Sequence, residues 1–513
     1  MLHKKSAILI LLVVAFIGGV IYMIQTQNTD NTVFRAAFPT DKPASFYEPT
    51  NIHFDYEYIF LENVFSPLIE IDTKGTIQPG VAEKAEWIGD ELHFTIRNNL
   101  KTQNGTPITA DDVIFSLKRL LILSGNTHGN FKDLVCPTQE LKSIEDDCPE
   151  IKKVSNKVIL VAKERKSFLL PMLAAIDFAI IPRASVDPKT LKITDLKETS
   201  GVYYVASDDG KGHIELKLNP YHYHADKSIP QIVQLVPNNL TVSGDSLKKL
   251  RENKVDHVMT IDTAKADELL NFAKDHPEFE THMTMKIRNI LLVFTKRGEK
   301  EFSNSERRYI GNNIRLAFKE IFKDVPGHEQ RDEFFPSLGD GGLNEEQQAK
   351  IIELNKDEGE KPKKRIKLGL IRRGNLEPWI KPINKFLPEA DCYAETNAPD
   401  FKTWAKDTDM PHAFIVGTDT GFMEDINLIS YSLNAGLLGL SKKERTQWLS
   451  DYMGTEEKKA RMAKLRTLHF EALAKPVVVP LMSSPYAALV RKPWKFHLSQ
   501  LYANNQLWLI KLD

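Results

Sequence analysis

Residues 92–121 read LHFTIRNNLKTQNGTPITADDVIFSLKRLL, and this stretch decides the fold class. Residues 92–97 alternate apolar and polar side chains, which predicts a half-buried β-strand. Residues 104–107 form a turn sequence, because Gly105 and Pro107 supply the backbone angles of a tight turn. Thr109 to Asp112 has the form of a capping box, with Asp in place of the usual Glu or Gln. An apolar helix face follows, made of Val113, Ile114, Leu117, Leu120 and Leu121. The stretch predicts a strand, a turn and a capped helix.

The segments on both sides extend this pattern. Upstream, residues 64–72 read VFSPLIEID, residues 75–83 read GTIQPGVAE, and Trp87 follows. Shorter matches continue downstream at Ser200-Gly201-Val202-Tyr203, Asn219-Pro220-Tyr221, Lys254-Val255-Asp256, residues 314–318 and Leu507-Trp508. In this order the segments resemble the bacterial extracellular solute-binding proteins of family 5, which serve oligopeptide, dipeptide and nickel ABC transporters. The resemblance covers nearly everything after residue 30.

The resemblance implies an α/β fold with two lobes, mixed sheets, a hinge and an inserted extra domain, similar to type II periplasmic binding proteins. Such a protein captures a peptide or similar small solute by closing its lobes, then delivers it to a permease in the cytoplasmic membrane. It implies a monomer without catalytic activity, cofactor or metal. The predicted units are residues 1–30 as a signal segment, 31–72, 200–285 and 486–513 as lobe I, 73–199 as the inserted domain, and 286–485 as lobe II.

Ligand-contacting residues follow from the same resemblance. Peptide-binding relatives carry an acidic residue in lobe II that pairs with the α-ammonium group of the peptide. Here the matching segment is 416–425, with Phe422 at an aromatic position and Gly421 where that acid is expected. The candidates to replace it after a local shift are Asp419, Glu424 and Asp425. In lobe I the candidates are His53 and Tyr56, within a segment that combines aromatic and acidic side chains. The alternative is that these side chains pack or stay solvated.

Three other functions were considered. A membrane-tethered sensor that presents its ligand to a signalling partner is compatible with the same fold. Nickel binding is the weaker alternative, because His222 and His224 lack a third ligand and are predicted to lie in a surface turn. A hydrolase is disfavoured, since the sequence has no G-x-S-x-G or H-E-x-x-H motif.

Composition excludes several classes of protein. The chain has 513 residues, 68 Lys and Arg against 69 Asp and Glu, and a formal net charge of -1. This balance lacks the basic excess typical of nucleic-acid binding. Hydrophobic residues at 42% and charged residues at 27% are ordinary for a folded protein, so disorder and a multi-span membrane protein are excluded.

The N-terminus has the pattern of an export signal. Lys4 and Lys5 precede an apolar run over residues 7–24, followed by polar residues 25–30. About 18 apolar residues are enough to span a bilayer as a helix. Bulky side chains at Tyr22 and Met23 leave no small-residue cleavage site, which favours an uncleaved anchor with the body outside; a cleaved signal peptide is the alternative.

The three cysteines are relevant to export, because disulfides form in oxidising compartments. Cys136 and Cys148 lie close together in sequence within a polar segment, so an oxidising compartment would permit a disulfide between them. The alternative is two unrelated thiols. Cys392 would then be free.

Further elements are predicted from hydrophobic periodicity. Strands are expected at residues 158–161, 213–218, 289–294 and 366–371, and helices at 307–322, 345–354 and 456–473. The charged stretch 355–365 is predicted to be a solvated connection, because acidic and basic residues alternate in it.

Overall fold

The computed structural model describes residues 33–39, 47–52, 55–123, 131–132, 135–137, 140–162, 169–239, 244–259, 266–284, 288–325, 327–333, 341–371, 376–395, 411–419, 440–455, 457–499 and 506–512. Its strands form three large sheets, which are built from different parts of the chain. Helices cover the faces of the sheets, so the fold is α/β, as predicted.

A seven-stranded sheet gathers strands that are far apart in sequence. Its centre is parallel, because Val33–Pro39 pairs in the same direction with Ile232–Asn238 and with His257–Met259. The outer pairs are antiparallel, which makes the sheet mixed. In spatial order the strands are Phe279–Met283, Ala487–Arg491, His257–Met259, Val33–Pro39, Ile232–Asn238, Ile214–Leu218 and Tyr203–Asp208.

A four-stranded antiparallel sheet contains the stretch that opened the sequence analysis. Its strands, in spatial order, are Ala82–Ile88, Glu91–Ile96, Lys157–Val161 and Ile151–Val154. The Ala110–Leu123 helix packs its apolar face on this sheet, with Val113 and Leu117 in one buried cluster with Leu92 and Phe94. The predicted strand and helix are therefore confirmed.

The start of this helix explains the Asp in the capping box. The Asp112 carboxylate accepts hydrogen bonds from the Thr109 backbone N–H at 2.8 Å and from its hydroxyl at 2.9 Å. The same carboxylate accepts from the backbone N–H of Arg183 at 3.0 Å. Gly105 adopts φ +86° in the preceding turn, where a side chain would be strained.

A five-stranded sheet has helices on both faces. In spatial order its strands are Ala390–Glu395, Ile366–Ile371, Ala413–Asp419, Arg288–Phe294 and Val478–Ser484. Every residue of Arg288–Phe294 is buried, as expected for a strand covered on both faces. The Asn304–Ile321 and Glu377–Phe386 helices cover one face, and the Glu345–Asn355 and Lys458–Ala474 helices cover the other.

The remaining elements lie around these three sheets. The other described helices are Asp55–Val64, Leu169–Leu173, Asp245–Arg251, Ala266–Asp275, Lys296–Glu301 and Lys442–Met453, with 3-10 turns at Pro49–Asn51, Ile176–Phe178, Arg183–Ser185 and Leu507–Leu509. Two hairpins pair Ile69–Ile71 with Ile77–Pro79 and Trp494–Phe496 with Ile510–Leu512. The predicted strands and helices at residues 158–161, 213–218, 289–294, 366–371, 307–322, 345–354 and 456–473 are confirmed within one to three residues of their ends. No described helix has the length and apolar character to span a membrane, and residues 1–30 lie outside the described ranges.

Candidate ligand cleft and hinge

The chain crosses between the seven-stranded and five-stranded sheets at two points. The first crossing is residues 284–287, between Phe279–Met283 in one sheet and Arg288–Phe294 in the other. The second is residues 485–486, between Val478–Ser484 and Ala487–Arg491. Two short connections between the same two sheets are typical of a hinge. Residues 285–287 of the first connection lie outside the described ranges.

Direct contacts hold the crossings together. The Thr284 backbone N–H donates to the Tyr486 carbonyl at 2.9 Å, and the Tyr486 N–H donates to the Thr284 hydroxyl at 2.7 Å. The guanidinium of Arg288 lies 4.4 Å from the centroid of the Tyr486 ring, a cation–π contact. All three residues are buried. Sequence analysis did not single them out; the one signal was the predicted boundaries at 285/286 and 485/486, which fall beside them.

The candidate acid Asp419 ends the strand next to the first crossing. In the sheet register its Cα lies opposite Arg288, which on its other side pairs with Ser484. The backbone of Asp419 is therefore at the hinge end of the five-stranded sheet. Tyr56 lies in the first turn of the Asp55–Val64 helix. His53, Phe422, Glu424 and Asp425 lie outside the described residues, so their assignment stays a prediction.

The prediction that His222 and His224 occupy a surface turn is wrong for His222. His222 is only 4% exposed, with Nε2 3.0 Å from the Ser66 hydroxyl. Its Nδ1 accepts from the backbone N–H of His224 at 3.1 Å, which places the ring proton on Nε2 and makes the ring a donor to Ser66. Burial, and then the charges of His224 and Arg97, hold the pKa of His222 well below 6.5. Ser66 therefore faces a proton donor, which is the wrong arrangement for an activated nucleophile.

Cys136 and Cys148 are both buried, free thiols. Their sulfur atoms and a Glu150 carboxylate oxygen lie within 4.8 Å of one another. Burial is the main cause that raises the pKa of both thiols. Among the described residues this group offers three donors, one fewer than the four of a structural zinc site, so we favour a disulfide over a metal.

We expect Cys136 and Cys148 to be joined in protein isolated from outside the cytoplasm. Oxidation removes two protons and two electrons from the thiols, which pass to the disulfide of an extracytoplasmic dithiol oxidase. A maleimide added to the denatured full-length chain should label Cys392 alone, and all three cysteines after reduction. Cys392 is the internal control. Labelling of all three without a reductant would contradict the prediction.

A family profile matches the middle of the chain. The sequence profile described as bacterial extracellular solute-binding proteins, family 5 Middle, matches residues 76–325. The middle of the chain is therefore similar to this family. Members of family 5 are extracytoplasmic binding proteins. The matched region includes the four-stranded sheet, most of the seven-stranded sheet and the first hinge crossing.

Curated relatives match parts of the chain. The periplasmic murein peptide-binding protein MppA of Escherichia coli is 36% identical over 84 residues, which is 16% of this chain and 15% of MppA. The periplasmic oligopeptide-binding protein OppA of Salmonella typhimurium is 24% identical over 214 residues, 38% of this chain and 37% of OppA. The matches span between 15% and 37% of the length of the curated relatives.

A solved structure extends the likeness to the whole fold. A periplasmic oligopeptide-binding protein, OppAIV from Borrelia burgdorferi, superposes with a TM-score of 0.74 at 15% identity. The superposition covers 94% of this chain and 100% of that structure. At this identity the likeness establishes the two-lobed fold alone.

Proposed function

We propose that this chain is the solute-binding protein of an ABC importer and that it captures peptides between the lobes built on the seven-stranded and five-stranded sheets. The contact of Thr284 with Tyr486 carries the proposal, because it holds together the two points where the chain passes between the sheets. The two curated relatives described above are named for binding murein peptides and oligopeptides. An extended peptide gains affinity from main-chain hydrogen bonds, which tolerate varied side chains.

Lobe closure is the functional step, with no covalent chemistry. Closure delivers a ligand only where the closed state binds it more tightly than the open state, since equal affinities shift no population. The contacts among Thr284, Arg288 and Tyr486 keep the two crossings adjacent, so both rotate about a shared axis. The chain acts as a monomeric carrier that hands its ligand to a membrane permease, and is not an enzyme.

The N-terminal segment supports a membrane tether. Lys4 and Lys5 stay on the cytoplasmic side, and the apolar run over residues 7–24 spans the bilayer. A tether raises the effective concentration of the binding protein near its permease.

Asp419, whose backbone lies at the hinge end of the five-stranded sheet, and Asp425 are proposed to hold the α-ammonium group of the peptide. We expect Asp419→Asn or Asp425→Asn to weaken peptide binding about tenfold, because a charge-assisted hydrogen bond contributes roughly 1.5–3 kcal/mol. Titration calorimetry with a peptide recovered from the protein measures the change. Asp391→Asn, an exposed carboxylate on another strand of the same sheet, is the matched control. A change below about threefold in both test variants would contradict the ammonium assignment.

Native mass spectrometry of the full-length chain in detergent, before and after denaturation, tests the proposed function. A heterogeneous set of short-peptide masses that leaves on denaturation is the expected result. Ligands that bind only the folded state also raise its thermal stability, so a peptide library should increase the melting temperature. A single non-peptide mass would overturn the peptide assignment. An empty protein with no melting shift would overturn the carrier function and favour the sensor.

A further inference from the structure

A cavity of about 570 Å³ lies away from the hinge, where the inserted segment meets the seven-stranded sheet and the C-terminal tail. Its walls come from the Ile69–Ile71/Ile77–Pro79 hairpin, the loop with Tyr223 and His224, and the Leu507–Leu509 turn. Among its described lining residues, none lies between 286 and 485, so the five-stranded sheet takes no part in it. We call this cavity the junction pocket. Its volume is that of an ordinary small-molecule site.

Arg97 is the principal cation in the wall of the junction pocket. Its Nε donates to the Gly80 carbonyl at 2.7 Å, and its guanidinium lies 4.4 Å from the centroid of the Tyr223 ring. These two contacts fix the plane of the guanidinium. Within the described structure its two terminal nitrogens have no hydrogen-bond partner. A fixed guanidinium with open N–H groups is suited to a carboxylate or a phosphate.

Two acids in the same wall are already hydrogen-bonded. The Glu70 carboxylate accepts from the Tyr223 hydroxyl and lies 2.8 Å from Nε2 of His224. The Asp72 carboxylate accepts from the backbone N–H of Lys74 and Thr76 and from Nε2 of Gln78, and these backbone bonds hold its pKa below 3.8. The carboxylates of Glu70 and Asp72 thus bond to groups other than Arg97, so the terminal nitrogens of Arg97 can bind a ligand.

The other residues of the wall indicate the charge of the ligand and the kind of apolar group that it carries. Trp508 stacks on His224 with ring centroids 5.6 Å apart, and Ile176 and Leu509 extend this apolar side. Glu62, Glu70 and Asp72 give the wall three carboxylates, which repel a dianion more strongly than a single negative charge. A phosphate is therefore disfavoured relative to a carboxylate.

We propose that the junction pocket binds a small monocarboxylate with an aromatic or aliphatic body. The carboxylate pairs with the terminal nitrogens of Arg97, and the body lies against Trp508 and its apolar neighbours. The described lining contains no residue of the five-stranded sheet, so the proposal does not rest on the proposed transport function.

Titration calorimetry of the full-length chain with 3-phenylpropionate tests the proposal, with the isosteric amine 3-phenylpropylamine and with phenyl phosphate as comparisons. We expect the acid to bind at least about tenfold more tightly than either comparison. Arg97→Gln should weaken binding of the acid about tenfold. Arg97→Lys keeps the positive charge but loses the paired N–H donors of the guanidinium, so its affinity should lie between those of the unaltered protein and Arg97→Gln. Arg251→Gln is the matched control, because Arg251 also stacks on an aromatic ring, that of Phe272, outside the pocket.

Several outcomes would overturn the proposal. These are equal binding of acid and amine, tighter binding of the phosphate, no binding of the acid to the unaltered protein, or an unchanged affinity in a folded Arg97→Gln variant. The comparison of acid with amine uses the unaltered protein, so it remains decisive where a variant fails to fold. The peptide-release assay above is independent, and failure of one leaves the other standing.

Discussion

Replacing Glu48 with Ala is expected to lower the free energy of unfolding by about 3–5 kcal/mol, because it leaves a buried guanidinium without its partner. Arg119 is 1% exposed and pairs through both terminal nitrogens with the Glu48 carboxylate, at 3.0 Å and 2.5 Å. Its Nε donates to the Leu191 carbonyl at 2.8 Å. Glu48 also accepts from the Thr50 backbone N–H at 3.1 Å, so the variant loses a cap as well.

Urea unfolding monitored by circular dichroism measures this loss. The double variant Glu48→Leu with Arg119→Met removes both charges and should recover most of it, since an apolar pair of similar size avoids the unpaired charge. Glu320→Ala breaks an ion pair with Lys385 that lies at the surface, and should have little effect. A loss for Glu48→Ala as small as that of this surface variant would show that the buried pair contributes little.

The second large effect is a loss of stability in mild acid. Burial lowers the pKa of His257 and of His469 to about 3, and burial also lowers the pKa of His222 and His282. In the unfolded chain a histidine has a pKa near 6.5, so between pH 6.5 and 3 the unfolded state binds protons that the folded state does not. Stability is therefore complete above pH 6.5 and falls as the pH drops. At pH 5 His257 and His469 each contribute a loss of about 2 kcal/mol.

Urea midpoints at pH 7 and pH 5 measure this loss. His257 lies among Phe34 and Phe496, and its Nδ1 has no hydrogen-bond partner in the described part of the chain. The free energy of unfolding should therefore differ between pH 7 and pH 5 by about 2 kcal/mol less in His257→Leu than in the unaltered protein. His213→Gln, at an exposed histidine, is the control and should leave the difference unchanged. The same loss of stability between pH 7 and pH 5 in the unaltered protein, His257→Leu and His213→Gln would mean that His257 is not protonated on unfolding.

Local sequence patterns predicted the elements, and the hinge contacts required the three-dimensional structure. The strand before Asn104 and the helix after Thr109 are specified by side-chain periodicity and capping within a few residues. His222 was misplaced because its burial depends on Ser66, which is distant in sequence. The pairing of Thr284 with Tyr486 joins residues from opposite ends of a lobe, which no local pattern encodes. The lobe boundaries and the cleft residues stay predictions.

The order of the strands in the seven-stranded sheet also constrains how the protein is made. Phe279–Met283 pairs, among the described strands, with Ala487–Arg491 alone. During synthesis from the N-terminus, this edge strand has no partner until residue 491 has left the ribosome. Non-local pairings of this kind form slowly, because the chain loses the entropy of closing a long loop before the stabilising contacts form. The nascent chain therefore keeps this edge of the sheet open until residues 487–491 are made.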